Sequence, residues 1–196
     1  YTRGGKGGKI IRVTNLNASG VGSLAAALAV DEPRTVVFEV GGVINMGGKS
    51  LSLSKPYITI AGQTAPNPGI TITNGSFYVN THDVILQHLR FRTGASGHTT
   101  GWEPDALSTN GSYNTIIDHC SASWSVDENC SASGPRFEGN TPEEWRQHTS
   151  HTLTMSNNII AEGLSNSTHS KGEHSKGTLI HDNATEIAVI KNLYAS

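Results

Sequence analysis

Several groups of residues along the 196-residue chain have types and spacings that could do chemistry. Glu103 and Asp105 stand two apart, which puts both side chains on one face if the segment is extended, and Asp127-Glu128 follow in a later segment. Gathered carboxylates suit a hard cation such as Ca²⁺, which takes about 6–8 oxygen ligands in loose geometry; a lone acid of this kind would be an ordinary solvated turn residue. The glycine-rich segment Glu162–Gly177 carries Lys171 and Lys176 together with His169 and His174. These are cations and imidazoles suited to an acidic ligand. The histidine spacing also hints at a transition metal, although nothing fixes a tetrahedral ligand set. Arg90 and Arg92 alternate with Leu89 and Phe91 and so share a face, where they support a site or cap a coil. Asp118-His119 is a tempting catalytic pair, but neighbours in a strand point to opposite faces, so joint action on one substrate atom is not expected.

Composition narrows the setting for these groups. Charged residues make up 15% and hydrophobic ones 35%, with 22 glycines and a net charge of −2. No basic stripe is present, so nucleic acid is not an expected partner. No apolar run approaches the roughly 18–20 residues needed to cross a bilayer. The start at Tyr1-Thr2-Arg3 reads as a mature or trimmed chain without a signal peptide. Cys120 and Cys130 are read as two buried thiols at least as readily as a pair.

Short β-branched runs punctuated by Gly, Asn, Pro or Ser predict strands at Lys9–Val13, Thr35–Val40, Tyr57–Ile60, Ile70–Thr73, Ser76–Val79, Val84–Leu86, Thr115–Ile117, Thr152–Met155 and Glu186–Ile190. One helix is predicted at Ser23–Ala29, with Ser23 as N-cap. Four segments repeat one pattern of apolar strand, polar bend and second short strand. Taking Gln87, Asp118, Ser156 and Ile190 as equivalent, the steps are 31, 38 and 34 residues. Uneven steps with a constant bend suit an all-β solenoid, a right-handed parallel β-helix whose coils carry loops of different length. Cys120, Asn158 and Asn192 then share one bend column, where Asn tolerates left-handed geometry. The chain reads as one domain, residues 1–196, with a loop excursion at about 133–150. There Thr141-Pro142-Glu143-Glu144 signals a helical turn.

The string Thr115-Ile116-Ile117-Asp118-His119-Cys120-Ser121 resembles the Asp-His strand motif of the pectate lyases, polysaccharide lyase family 1. Four further stretches look like the bacterial branch of that family: Leu16–Leu24, Pro56–Pro66, Trp124–Asn129, and Ile160–Leu164 with His169–Gly172. They follow the family's order along nearly the whole chain. The resemblance implies a secreted, calcium-dependent enzyme that cleaves the acidic polysaccharide polygalacturonate by β-elimination. It also implies that Asp105 and Asp127 hold calcium with Glu103 and Glu128 beside them, that Lys171 binds substrate, and that Asp118 and His119 are mainly structural. His169, His174, Lys176 and Arg92 are further candidates for substrate binding. Elimination removes a weakly acidic proton next to a uronate carboxylate, and a cation on that carboxylate stabilises the developing charge.

Two departures from the family pattern matter. Ser131 stands where the family commonly has another acid. The family's arginine base lies a few residues beyond the coil matching Val189–Ala195, and the sequence stops at Ser196. Three readings stay open: a fragment, a minimal enzyme using Lys171 or an arginine from a neighbouring subunit, or a glycan-binding β-helix without catalysis. Open coil ends lead to the expectation of a homo-oligomer, with a trimer as one form.

Overall fold

The computed structural model describes residues 2–196. After the first strand, strands recur in a fixed three-beat order, and each pairs in parallel with the strand one coil further on. The first sheet takes β1 (Lys9–Val13), β2 (Arg34–Phe38), β5 (Ile58–Ala61), β8 (Val84–Gln87), β11 (Tyr113–Asp118), β14 (His151–Ser156) and β17 (Thr185–Ile190). The second takes β3 (Gly42–Asn45), β6 (Ile70–Thr73), β9 (Leu89–Arg92), β12 (Ser121–Ser123), β15 (Ile159–Ala161) and β18 (Leu193–Ala195). The third takes β4 (Leu51–Leu53), β7 (Phe77–Val79), β10 (Leu107–Asn110), β13 (Glu128–Ser133) and β16 (Lys176–Ile180). This is the parallel β-helix expected from the repeats.

The register agrees with the repeat spacing. Gln87 pairs with Asp118, Asp118 with Ser156, and Ser156 with Ile190. At the bend that follows, Cys120 N–H donates to Asn158 Oδ1 at 2.8 Å and Asn158 N–H donates to Asn192 Oδ1 at 2.8 Å. Each asparagine amide also donates down the stack, to Ile117 O and Met155 O. The asparagine column is therefore present, but left-handed geometry sits one residue before it. His88, His119, Asn157 and Lys191 carry φ of 54°, 52°, 55° and 55°. Each asparagine side chain satisfies a backbone N–H and a backbone carbonyl on the coil before it, leaving the sharp turn to the preceding residue.

Inward side chains such as Ile58, Ile60, Leu86, Leu89 and Phe91 are at most 1% exposed and stack along the axis. Burying each contributes about 1.5–3 kcal/mol. The predicted helix is α1 (Leu24–Leu28), with Ser23 Oγ accepting from Ala26 N–H. Its buried residues Leu24, Ala27 and Leu28 join the core at the first coil. Beneath it Arg34, 0% exposed, donates to the carbonyls of Ala27, Leu28, Glu32, Lys55 and Pro56. These include carbonyls left free at the helix C-terminus.

The loop excursion forms α2 (Pro142–His148), with Thr141 Oγ1 accepting from Glu144 N–H and Pro142 in the first turn. Cys120 and Cys130 are free, and burial pushes both thiols up to about 12. Among the described residues, no helix is long and apolar enough to cross a membrane.

Candidate cation and substrate site

The chemistry collects where the chain turns into the third sheet. Leu107 pairs with Cys130 and Cys130 with Thr178, while Glu128 pairs with Lys176. Asp105, Glu128 and Lys176 therefore occupy equivalent positions on three successive coils, each two residues ahead of a paired strand residue. Asp127, in the turn before β13, lies beside this column. One carboxylate oxygen from each of Asp105, Asp127 and Glu128 lies within 4.8 Å of the others.

Hydrogen bonds hold the acids in place. Asp105 Oδ1 accepts from Glu128 N–H at 3.2 Å, and its Oδ2 accepts from the Ser131 hydroxyl at 2.6 Å. Glu128 is 5% exposed. Burial first, and then the Asp105 and Asp127 carboxylates, push its acid up to about 8. Lys176 Nζ lies 3.2 Å from Glu128 Oε1. For Asp127, burial favours the neutral form. A hydrogen bond from Glu128 and the nearby Lys176 ammonium nonetheless hold its carboxyl below the usual range. Asp127 Oδ1 is buried and has no hydrogen-bond partner. An orphaned carboxylate oxygen in an all-oxygen cluster fits a hard divalent cation, with Asp105, Asp127 and Glu128 as its ligands.

Glu103 does not join this cluster. Glu103-Pro104-Asp105 lies outside any strand, because β10 begins only at Leu107, so the expected alternation does not operate. Glu103 instead accepts from Ser170 N–H at 2.6 Å, which with the Ser170 side chain holds its carboxyl below the usual range. It ties the loop carrying residues 163–175 to the loop carrying residues 94–104. A second tie runs from Gly101 N–H to Thr168 O and from the Thr168 hydroxyl to Trp102 O.

His169 belongs to the same clamp. Its side chain is 1% exposed, which removes it from direct contact with a polysaccharide in this arrangement. Its Nδ1 accepts from Lys171 N–H at 3.1 Å, so Nε2 carries the ring proton and faces Glu103 at 3.7 Å and Asp127 at 3.6 Å. His174 Nε2 lies 2.7 Å from Lys176 Nζ. An ammonium has no acceptor, so this imidazole nitrogen accepts. It is therefore not a donor to Asp127 Oδ1 at 3.0 Å, in keeping with that oxygen's lack of a partner. Asp127, His169 and His174 do converge within 4.8 Å, but neither Nε2 offers a free lone pair to a transition metal.

The remaining candidates separate. Lys171 is exposed at the loop tip, and no ion pair engages it among the described residues. Lys176 sits inside the acid cluster. Arg92 is committed to its own wall: it donates to Phe91 O, Ser121 O and Ser121 Oγ, and lies 5.9 Å over the ring of Trp124. Trp124 is 43% exposed, with its indole N–H donating to Glu162 Oε2 at 2.9 Å. Sequence reading passed over this surface aromatic because it stands alone, without periodicity. A cleft of about 370 Å³ beside Lys176 is lined by Asn129, Glu162 and Ser175 and by Tyr194, Ala195 and Ser196, the last residues of the sequence.

Asp118 and His119 contradict the opposite-face expectation. His119 Nδ1 lies 2.7 Å from Asp118 Oδ2, because His119 has left the strand for the left-handed bend. Asp118 also accepts from Ser156 Oγ and Asn157 Nδ2 on the next coil, which fits a structural role.

The chain is 39% identical over 192 residues to the "Probable pectate lyase C" of Emericella nidulans, and 38% identical over 192 residues to that of Aspergillus terreus. The alignments cover 97% of this chain. The chain is homologous to pectate lyases. It spans about 39% of the length of these relatives. No family model matches. The fold is similar to that of the crystal structure of jun a 1, the major allergen from cedar pollen, with a TM-score of 0.60 at 18% identity. That match covers 93% of this chain and 56% of the other.

Proposed function

We propose that this chain acts as a calcium-dependent, secreted pectate lyase, cleaving polygalacturonate by β-elimination to unsaturated oligogalacturonides. The observation that carries the reading is the oxygen cluster of Asp105, Asp127 and Glu128, with Asp127 Oδ1 buried and unpartnered. Bound there, calcium would draw charge from a substrate carboxylate and so acidify the adjacent carbon. Asp105 and Asp127 supply ligand charge, and Ser131 and the Glu128 backbone N–H fix the Asp105 carboxylate. Glu103 and His169 hold the covering loop against Asp127. Lys171, exposed at the tip of that loop, is assigned to the uronate carboxylate. It is also this chain's candidate proton acceptor.

The test is the rise in ultraviolet absorbance of unsaturated product from polygalacturonate, with and without a chelator. Product that is lost on chelation and restored by calcium supports the reading. Product unaffected by chelator removes the calcium role. Binding of oligogalacturonate without turnover at any pH selects a non-catalytic acidic-glycan-binding β-helix instead.

A further inference from the structure

The acid column does not end in acid. Its third coil contributes Lys176, whose Nζ lies 3.2 Å from Glu128 Oε1 and 3.6 Å from Asp127 Oδ1, with His174 Nε2 at 2.7 Å. A cation bridging Asp127 and Glu128 would have to lie within a few ångströms of this ammonium, and the repulsion between them would be steep at such a range. The ammonium is a compact point charge on a flexible stem, and the Lys176 side chain is 40% exposed. Withdrawing it to solvent requires no backbone movement.

We propose that Lys176 is a built-in counter-cation of the carboxylate cluster, and that its ammonium and a divalent ion occupy the cluster in alternation. This rests on the reading of Asp105, Asp127 and Glu128 as a divalent-cation site. Two properties follow. In the cation-free protein Lys176 offsets part of the Asp127 charge that stands beside the buried Glu128. Loading a divalent ion expels the lysine ammonium from the carboxylates, so loading the metal and freeing a positive charge are one event.

The experiment is calorimetric titration of the purified, chelator-treated 196-residue chain with calcium chloride, for the wild type and for Lys176→Met, Lys176→Arg and Asp127→Asn. Thermal unfolding is followed in parallel. The expected result is calcium binding at least about tenfold tighter in Lys176→Met than in the wild type. Lys176→Arg should stay close to the wild type, and Asp127→Asn should bind weakly or not at all. Lys176→Met should also melt lower than the wild type in chelator and recover in calcium. Equal calcium affinity in the wild type and Lys176→Met overturns the proposal and leaves the cation site standing. No calcium binding by the wild type, Lys176→Met or Lys176→Arg overturns both. If Lys176→Met does not fold in chelator, Lys176→Gln titrated under the same conditions carries the same expectation.

Discussion

Ser131 Oγ donates to Asp105 Oδ2 at 2.6 Å from the neighbouring coil, and it also lies 2.7 Å from Ser108 Oγ. A 1% exposed serine thus stands where the resemblance calls for a carboxylate, and it orients an acid without adding charge. Ser131→Asp would place a second carboxylate against Asp105 in a buried position. Without metal this should cost about 2 kcal/mol or more, through repulsion and lost hydration. Calcium should raise the melting temperature of the variant by more than it raises that of the wild type. Differential scanning fluorimetry in chelator and in calcium reads both effects, and equal calcium shifts in the two proteins would count against the site.

Asp127→Asn keeps the shape of the side chain and removes its charge. Divalent affinity should fall by about tenfold or more, and lyase turnover should fall with it. Equilibrium dialysis with radioactive calcium measures the first, and product absorbance the second. Retention of both would exclude Asp127 as a ligand.

Lys171→Met should lower turnover on polygalacturonate while leaving calcium affinity unchanged, because Lys171 stands at the loop tip and outside the acid cluster. Lys171→Arg should restore substrate affinity through its charge. It should not restore turnover if the lysine also accepts the proton, since arginine stays charged to above pH ~12. Steady-state kinetics with separate KM and kcat values decide between these roles.

Asp118 makes a pH prediction. Burial favours its neutral form, yet hydrogen bonds from Asn157, His119 and Ser156 bring its carboxyl down to about 2. The folded value lies below the ordinary one of 3.8. The contribution to stability is therefore complete above pH ~4 and is lost as pH falls toward ~2. Asp118→Asn should show a shallower loss of stability across that interval than the wild type in urea unfolding. Parallel acid profiles would remove Asp118 from the account.

Arg34 donates to five carbonyls from a fully buried position. Arg34→Met should destabilise the chain by about 3 kcal/mol, since it orphans those acceptors. Arg34→Lys should recover little, because one ammonium does not span the positions a planar guanidinium reaches. Denaturant midpoints at a constant slope provide the measurement.

The first two sheets were legible in the sequence to different degrees. Strands such as β8 and β11 announce themselves by short β-branched apolar runs, and the repeat Gln87, Asp118, Ser156, Ile190 is the register itself. The third sheet was largely hidden. Of its strands only β7 was anticipated. β10 reads Leu-Ser-Thr-Asn and β13 reads Glu-Asn-Cys-Ser-Ala-Ser, with polar residues buried by stacking on their counterparts in other coils. A one-dimensional pattern carries no sign of that stacking. The same blindness affected the site. Asp105, Asp127 and Glu128 were found by resemblance, whereas the placement of Lys176 among them depends on a register between residues 48 positions apart. Glu103 was misplaced because Pro104 and the late start of β10 break the assumed extended geometry.

The excursion containing α2 leaves β13 at Ser133 and the chain rejoins the first sheet at His151, beyond the far ends of the strands whose leading ends carry the acids. The spacing of the acid column is set by lateral strand pairing, at about 4.8 Å per coil, and the length of the excursion does not enter into it. The stretch between Ser133 and His151 is therefore a splice point. Segments of other lengths, grafted there, would remodel one rim of the molecule while the spacing of the acids is inherited intact. A fold wound in this way can diversify its periphery and its chemistry independently.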